Sequence, residues 1–126
     1  MAARNIKFVV ADIEIRAQLR TTPTANKLAT ALPIQSVAQT WGEEVYFSAP
    51  VTCELESDAK TVIEAGEIAF WVEGSCIAIG FGPTPISHDR EIRLAARTNI
   101  FADALDDVTL LKPVIDGAPV TVDWDQ

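Results

Sequence analysis

Short β-type runs separated by turn signals are the feature that most constrains the fold of this chain. Residues 6–10 are an apolar run, and residues 13–19 alternate apolar and polar side chains, which is typical of a half-buried strand. Similar runs recur at residues 33–41, 43–49, 68–72, 76–81, 98–104 and 120–122. About eight short strands in so short a chain predict a mainly β protein, either a closed barrel or a sandwich.

Two short helices are predicted between the strands. The first begins at Thr22-Pro23, because a threonine caps free N–H groups and proline suits the first helical position, and Pro33 ends it. The second follows Asp106 or Asp107 and runs through residue 111. Residues 83–97, with their prolines, are predicted to be a long loop.

The composition indicates one domain over residues 1–126. The net charge is −8 and the 10 basic residues are scattered, whereas nucleic-acid binding needs a basic stripe. The first residues lack the apolar segment of a signal peptide, and no apolar run approaches the roughly 18 residues that span a bilayer. We therefore expect a cytoplasmic protein that binds neither nucleic acid nor membrane.

Few side chains are suited to metal binding or catalysis. His88 is the single histidine, and the two cysteines, Cys53 and Cys76, are far apart in sequence. They match no metal-ligand spacing, so we expect two reduced thiols and neither a metal nor another cofactor. Glu43 and Glu44 are adjacent, but neighbours on a strand point to opposite faces and cannot act as a pair. We predict no catalytic residue.

Four motifs follow one another along the chain, and they are Trp41-Gly42-Glu43-Glu44-Val45-Tyr46-Phe47, Gly66-Glu67-Ile68-Ala69-Phe70-Trp71, Phe81-Gly82-Pro83-Thr84-Pro85 and Thr98-Asn99-Ile100-Phe101. In this order they resemble one known family, the small prokaryotic cyclophilin-like proteins, a domain family of unknown function. The resemblance extends from about residue 6 to residue 122 and implies a closed eight-stranded antiparallel barrel with a helix at each end.

The resemblance does not carry over the isomerase site of true cyclophilins. Those enzymes lower a barrier of roughly 18–20 kcal/mol with an apolar proline pocket and an arginine that bonds the prolyl nitrogen. That arginine lies on the strand that matches residues 33–41, and this chain has no arginine between Thr21 and Asp89. Arg97, approaching from the opposite wall, is the remaining candidate for such a role.

The aromatic side chains of the central strands are candidates for a ligand site as well as for the core. We expect a cleft beside the predicted loop 83–97 that holds a peptide or a small molecule. The leading hypothesis is a non-catalytic binding module. The alternatives are a divergent peptidyl-prolyl isomerase, a hydrolase that uses Glu43 or His88, and a structural role, with the oligomeric state left open. The candidate ligand-binding residues are Trp41, Glu44, Tyr46, Trp71, Phe81 and Arg97.

Overall fold

The computed structural model describes residues 4–125 of the chain. Within this range there are ten strands, one α-helix and one 3₁₀ helix. The elements are β1 (Asn5–Val10), β2 (Ile13–Leu19), α1 (Pro23–Ala31), β3 (Ile34–Val37), β4 (Gln39–Thr40), β5 (Glu44–Ser48), β6 (Lys60–Ile63), β7 (Glu67–Trp71), β8 (Cys76–Gly80), β9 (Ile92–Ala104), the 3₁₀ helix (Val108–Leu111) and β10 (Pro119–Trp124). Within the described range, no helix is long and apolar enough to cross a membrane.

The antiparallel sheet closes into a barrel through a kink at Ala38. The strand order is β3-β10-β1-β2-β9-β7-β8-β5-β4, and the two end strands, β3 and β4, are separated in the chain by Ala38 alone. The N–H of Ala38 donates to the carbonyl of Ala118, and its carbonyl accepts from the N–H of Gly117, each at 2.8 Å. The predicted mainly β, antiparallel barrel is confirmed. The described residues form ten strands rather than the predicted eight for two reasons. The predicted strand 33–41 is divided at Ala38 into β3 and β4, and β6, which pairs with β9 outside this strand order, was not predicted.

The main core fills the barrel and is closed by the two helices. The rings of Phe8 and Phe47 meet edge to face inside it, with centroids 6.2 Å apart. The predicted first helix is present, and the hydroxyl of Thr22 accepts a hydrogen bond from the N–H of Ala25 at its start. The predicted second helix is a 3₁₀ turn that Asp107 caps. The sequence signals for both helix starts were therefore sufficient, since capping is a local interaction.

The predicted loop 83–97 is wrong in its second half. Residues 92–97 are the beginning of β9, and Ile92 and Arg93 pair with β6, a strand that the sequence analysis missed. The side chains of Ile92 and Leu94 are buried, and this burial stabilises an extended conformation that short-range patterns, dominated by the preceding prolines, do not reveal. The connection is therefore shorter, spanning residues 81–91.

A second apolar layer covers part of the outer face of the barrel. Side chains of β6 and of the first half of β9 pack on β7 and β8, so these two central strands are buried on both faces. The cluster comprises Ile63, Ala69, Ala78, Ile92, Leu94 and Ile100. The layer comes closest at Gly80, where an added Cβ would lie 2.5 Å from Cγ2 of Ile92. Glycine is required at this position because any side chain would push β9 outward.

We predict that Gly80→Ala destabilises the protein through this contact. Overpacking of a buried site costs roughly 1–3 kcal/mol, and Ile92→Ala alone costs roughly 2–5 kcal/mol through the cavity it leaves. In the double variant the new methyl group occupies space that Ile92 vacates, so the combined loss in the free energy of unfolding should be smaller than the sum. Urea unfolding of the four proteins measures this, and strict additivity would contradict the proposed contact.

Candidate functional site

A cavity of about 200 Å³ lies between the outer face of the barrel and the second layer. Strands β5, β7 and β8 form its floor, and residues 94–96 and 98 of β9 form the opposite wall. Most of the lining is apolar or aromatic, including the side chains of Ala78 and Leu94. The cavity exists because β9 crosses close to the barrel at Gly80 and then continues over the ends of the central strands.

Four of the six predicted ligand-binding residues line this cavity together. They come from the turn before β5, from β5 itself and from the end of β7, and they are Trp41, Glu44, Tyr46 and Trp71. Glu44 pairs with Gly80 and Tyr46 with Ala78 across the ladder, so the two-residue period places both side chains on the outer face. Whether these side chains bind a ligand stays a prediction.

The structure does not place Phe81 or Arg97 in the cavity. Phe81 follows Gly80 by one residue and packs against the main core, on the other side of the sheet. Arg97 is exposed, whereas its neighbours Ala96 and Thr98 both line the cavity. Among residues 4–125, no hydrogen bond or ion pair holds the Arg97 guanidinium. Strand alternation alone would not have excluded Arg97, because Ala95, which is two residues away on the same strand, also lines the cavity.

The sequence analysis missed two polar residues of the lining, Cys76 and Thr98. The predicted free thiols are present, but only Cys53 is buried, whereas Cys76 is half-buried. The Cys76 thiol donates to the carbonyl of Gly74 at 3.3 Å, and the Thr98 hydroxyl donates to the carbonyl of Lys60 at 2.9 Å. Both donors are therefore already engaged within the protein.

Glu44 is the residue of the cavity whose environment departs most from that of an ordinary carboxylate. The residue is 6% exposed, and its Oε1 atom has no hydrogen-bond partner among the described residues. Burial without a compensating charge raises the pKa of Glu44 to about 7, since loss of water disfavours the ionised form. Burial, and then the negative charge of Glu44, also raise the pKa of Cys76.

Trp71 presents a second buried polar atom without a partner, the indole Nε1. Its ring packs directly on Gly74, where an added Cβ would lie 2.2 Å from Cε3 of the ring. The turn after β7 therefore positions this indole, and only glycine leaves room for it. Tyr46 differs, because its hydroxyl donates to Oε1 of Gln39 at 2.9 Å and so already has a partner.

The side chains proposed for a hydrolase lie elsewhere. The Glu43 carboxylate lies against Gly82, and His88 is exposed in the 81–91 connection. Neither lines the cavity, and no basic side chain does so within the described part of the chain. The described residues also contain no group of three or more potential metal ligands.

Comparison with known proteins agrees with the barrel architecture. The chain matches the cyclophilin-like family over residues 4–123, and no curated protein matches it. The solution structure of the hypothetical protein AF2241 from Archaeoglobus fulgidus superimposes with a TM-score of 0.82 at 34% sequence identity, covering 98% of this chain and 95% of that one.

A second solved structure is more distant. McbB in complex with tryptophan superimposes with a TM-score of 0.70 at 14% identity, covering 94% of this chain and 44% of McbB. At this identity the likeness concerns the fold alone. The family match over nearly all of the described residues, together with the archaeal structure, confirms the resemblance inferred from the motifs. This chain belongs to the cyclophilin-like family.

Proposed function

We propose that this protein is a non-catalytic binding module that holds a small molecule or a peptide side chain in the cavity between the barrel and β9. The observation that carries the proposal is the pair of unpartnered polar atoms, Glu44 Oε1 and Trp71 Nε1. Among the described residues three buried side-chain N or O atoms lack a partner, and these two belong to side chains that line the same cavity.

The energetic argument is that such atoms destabilise a protein unless something binds them. A buried donor or acceptor without a partner costs roughly 1–3 kcal/mol, and most buried polar groups in proteins are satisfied for this reason. Among the other described residues, Asn5 Oδ1 is the one further buried side-chain N or O atom without a partner. Asn99, by contrast, is fully buried and its amide bonds Thr24 and the backbone of Glu54 and Glu56. A ligand that reaches both Glu44 and Trp71 would remove the penalty.

The size and lining of the cavity restrict the ligand. Sites for drug-sized molecules usually measure about 300–1,000 Å³, so a cavity of about 200 Å³ suits a small metabolite or one side chain of a peptide. The ligand needs an apolar body to contact Ala78 and Leu94. It also needs polar groups that match Glu44 and the indole N–H.

We predict that a ligand found by screening loses affinity when either polar group is removed. NMR of the isotope-labelled protein against a panel of small amphipathic molecules, proline-containing peptides and L-tryptophan (the ligand of McbB) identifies the binder. Glu44→Gln should weaken it about tenfold or more, and Trp71→Phe, which keeps a ring but loses the N–H, about fivefold.

Glu73→Gln is the matched control, because Glu73 is exposed in the turn after β7 and its replacement changes the net charge by the same amount. Equal losses of affinity in Glu44→Gln and Glu73→Gln would indicate a general charge effect. A ligand whose chemical-shift changes map away from the cavity would refute the proposed site.

The second prediction concerns prolyl isomerisation, the alternative that the family suggests. We expect no acceleration above the uncatalysed rate in a protease-coupled assay, because none of the described lining residues is an arginine that could weaken the resonance of the imide bond. Turnover that disappears in Arg97→Ala would establish the isomerase instead.

The third prediction uses the pH dependence of stability. Glu44 has a raised pKa of about 7 in the folded protein, so the folded state binds this proton more tightly than the unfolded state. The contribution of Glu44 to the free energy of unfolding is most favourable below its ordinary pKa of 4.5, and it is lost as the pH rises towards about 7.

Glu44→Gln should remove this dependence. The free energy of unfolding of the Glu44→Gln variant, compared with that of the wild type, should increase by up to about 3 kcal/mol between about pH 5 and about pH 8.5. This value follows from about 1.36 kcal/mol for each unit of pKa shift. Urea unfolding at the two pH values measures the change, and Glu73→Gln serves as the control. A difference that does not vary with pH would mean that the Glu44 carboxyl reaches water or a partner in solution.

A further inference from the structure

We infer that the ligand of this cavity is an alkylated ammonium ion that carries a neighbouring oxygen atom, with Glu44 balancing its charge and Trp41, Tyr46 and Trp71 surrounding it. This inference rests on the proposed function and narrows it to one chemical class. It is carried by the composition of the lining: one carboxylate, three aromatic rings and no cationic side chain among the described residues.

The charge of the lining is the first part of the argument. Glu44 is the acidic residue of the cavity, and Arg93 of β9, near the second layer, is paired with Glu91 rather than with Glu44. A buried carboxylate without a counter-ion is strongly disfavoured. A cation supplied by the ligand resolves this, and the net charge of −8 attracts cations towards the protein.

The aromatic rings are the second part. A cation is attracted to the face of an aromatic ring, and groups of aromatic side chains bind alkylated ammonium ions in this way. Trp41, Tyr46 and Trp71 line the cavity with Glu44. Because the Tyr46 hydroxyl already donates to Gln39, its ring is the part that remains available to the ligand.

The number of free acceptors decides between kinds of cation. A guanidinium presents five N–H donors, whereas the Glu44 carboxylate is the acceptor in the lining that lacks a partner. An alkylated ammonium has few or no N–H groups and fits this shortage of acceptors. The indole N–H of Trp71 needs an acceptor in turn, and an oxygen atom on the ligand supplies it.

The inference predicts that protons compete with the ligand. The titratable residues that share the cavity with Glu44 are Tyr46 on β5 and Cys76 on β8, whereas the Glu43 carboxylate lies against Gly82 and Arg93 pairs with Glu91. Because a cation favours the ionised form of Glu44, affinity should rise with pH up to about 7 and then level off. A neutral ligand that accepts a hydrogen bond from protonated Glu44 would show the opposite trend.

The experiment compares ligands of the same shape that differ in charge. Choline and tetramethylammonium are titrated by NMR into the full-length protein at about pH 8.5 and about pH 5.5. The neutral comparison is the carbon analogue of choline, in which a tert-butyl group replaces the trimethylammonium group. We expect choline to bind at least about tenfold more tightly than this analogue, because the attraction between a cation and aromatic rings is strongest in desolvated sites.

The pH series and the variants provide independent readouts. Choline should bind about thirtyfold more weakly at the lower pH if only the ionised form of Glu44 binds it. Glu44→Gln should reduce the affinity and abolish its pH dependence, whereas Glu73→Gln should retain both. The backbone amide spectrum of each variant shows that it is folded.

Each of the other outcomes contradicts either the cationic ligand or the proposed binding function. Equal or tighter binding of the neutral analogue, or affinity that falls as the pH rises, would overturn the cationic ligand and leave the binding module intact. The same holds if neither cation binds while an uncharged member of the wider panel does. If no molecule of either set perturbs the cavity, the proposed function itself fails.

Discussion

The contact between Ile92 and Gly80 determines the architecture outside the barrel. The antiparallel barrel, which has eight strands when β3 and β4 are counted as one, closes without this contact. Without the contact, however, the outer face of β7 and β8 would be an exposed apolar surface. Because residue 80 has no side chain, β9 approaches closely enough to bury Ile92 and Leu94 against that face. The cavity is the space left where β9 continues beyond this contact, so the packing of one glycine sets the geometry of the candidate site.

Under the proposed function, stability and ligand recognition impose opposite requirements at this cavity. Other charged groups of the described chain have partners, as Arg20 has in Asp103 and Glu67. Glu44 and Trp71 instead keep buried polar atoms without partners. An apolar lining would be more stable, and natural proteins accept such a loss mainly where function needs it. Under the proposed function, the same feature that costs stability defines the chemistry of the ligand.

Membership of the cyclophilin-like family specifies the scaffold of this protein and leaves its chemistry to the residues of the site. Prolyl isomerisation depends on a guanidinium positioned over an apolar pocket. Here the cavity is lined mostly by apolar and aromatic side chains, Arg97 is exposed outside the lining, and a carboxylate belongs to it. A pocket with a carboxylate attracts different ligands from a pocket with a guanidinium, because the sign of the local charge decides between them.

The sequence by itself determined the features that depend on near neighbours in the chain. Local patterns predicted the strands β1 and β2, and capping signals predicted the starts of both helices. Tertiary structure alone decided that residues 92–97 form a strand, that Phe81 points to the core, and that Cys76 and Thr98 join the lining. The physical reason is that a two-residue period assigns side chains to a face of a strand, whereas the layer that covers this face, and hence the burial of Glu44, depends on residues distant in sequence.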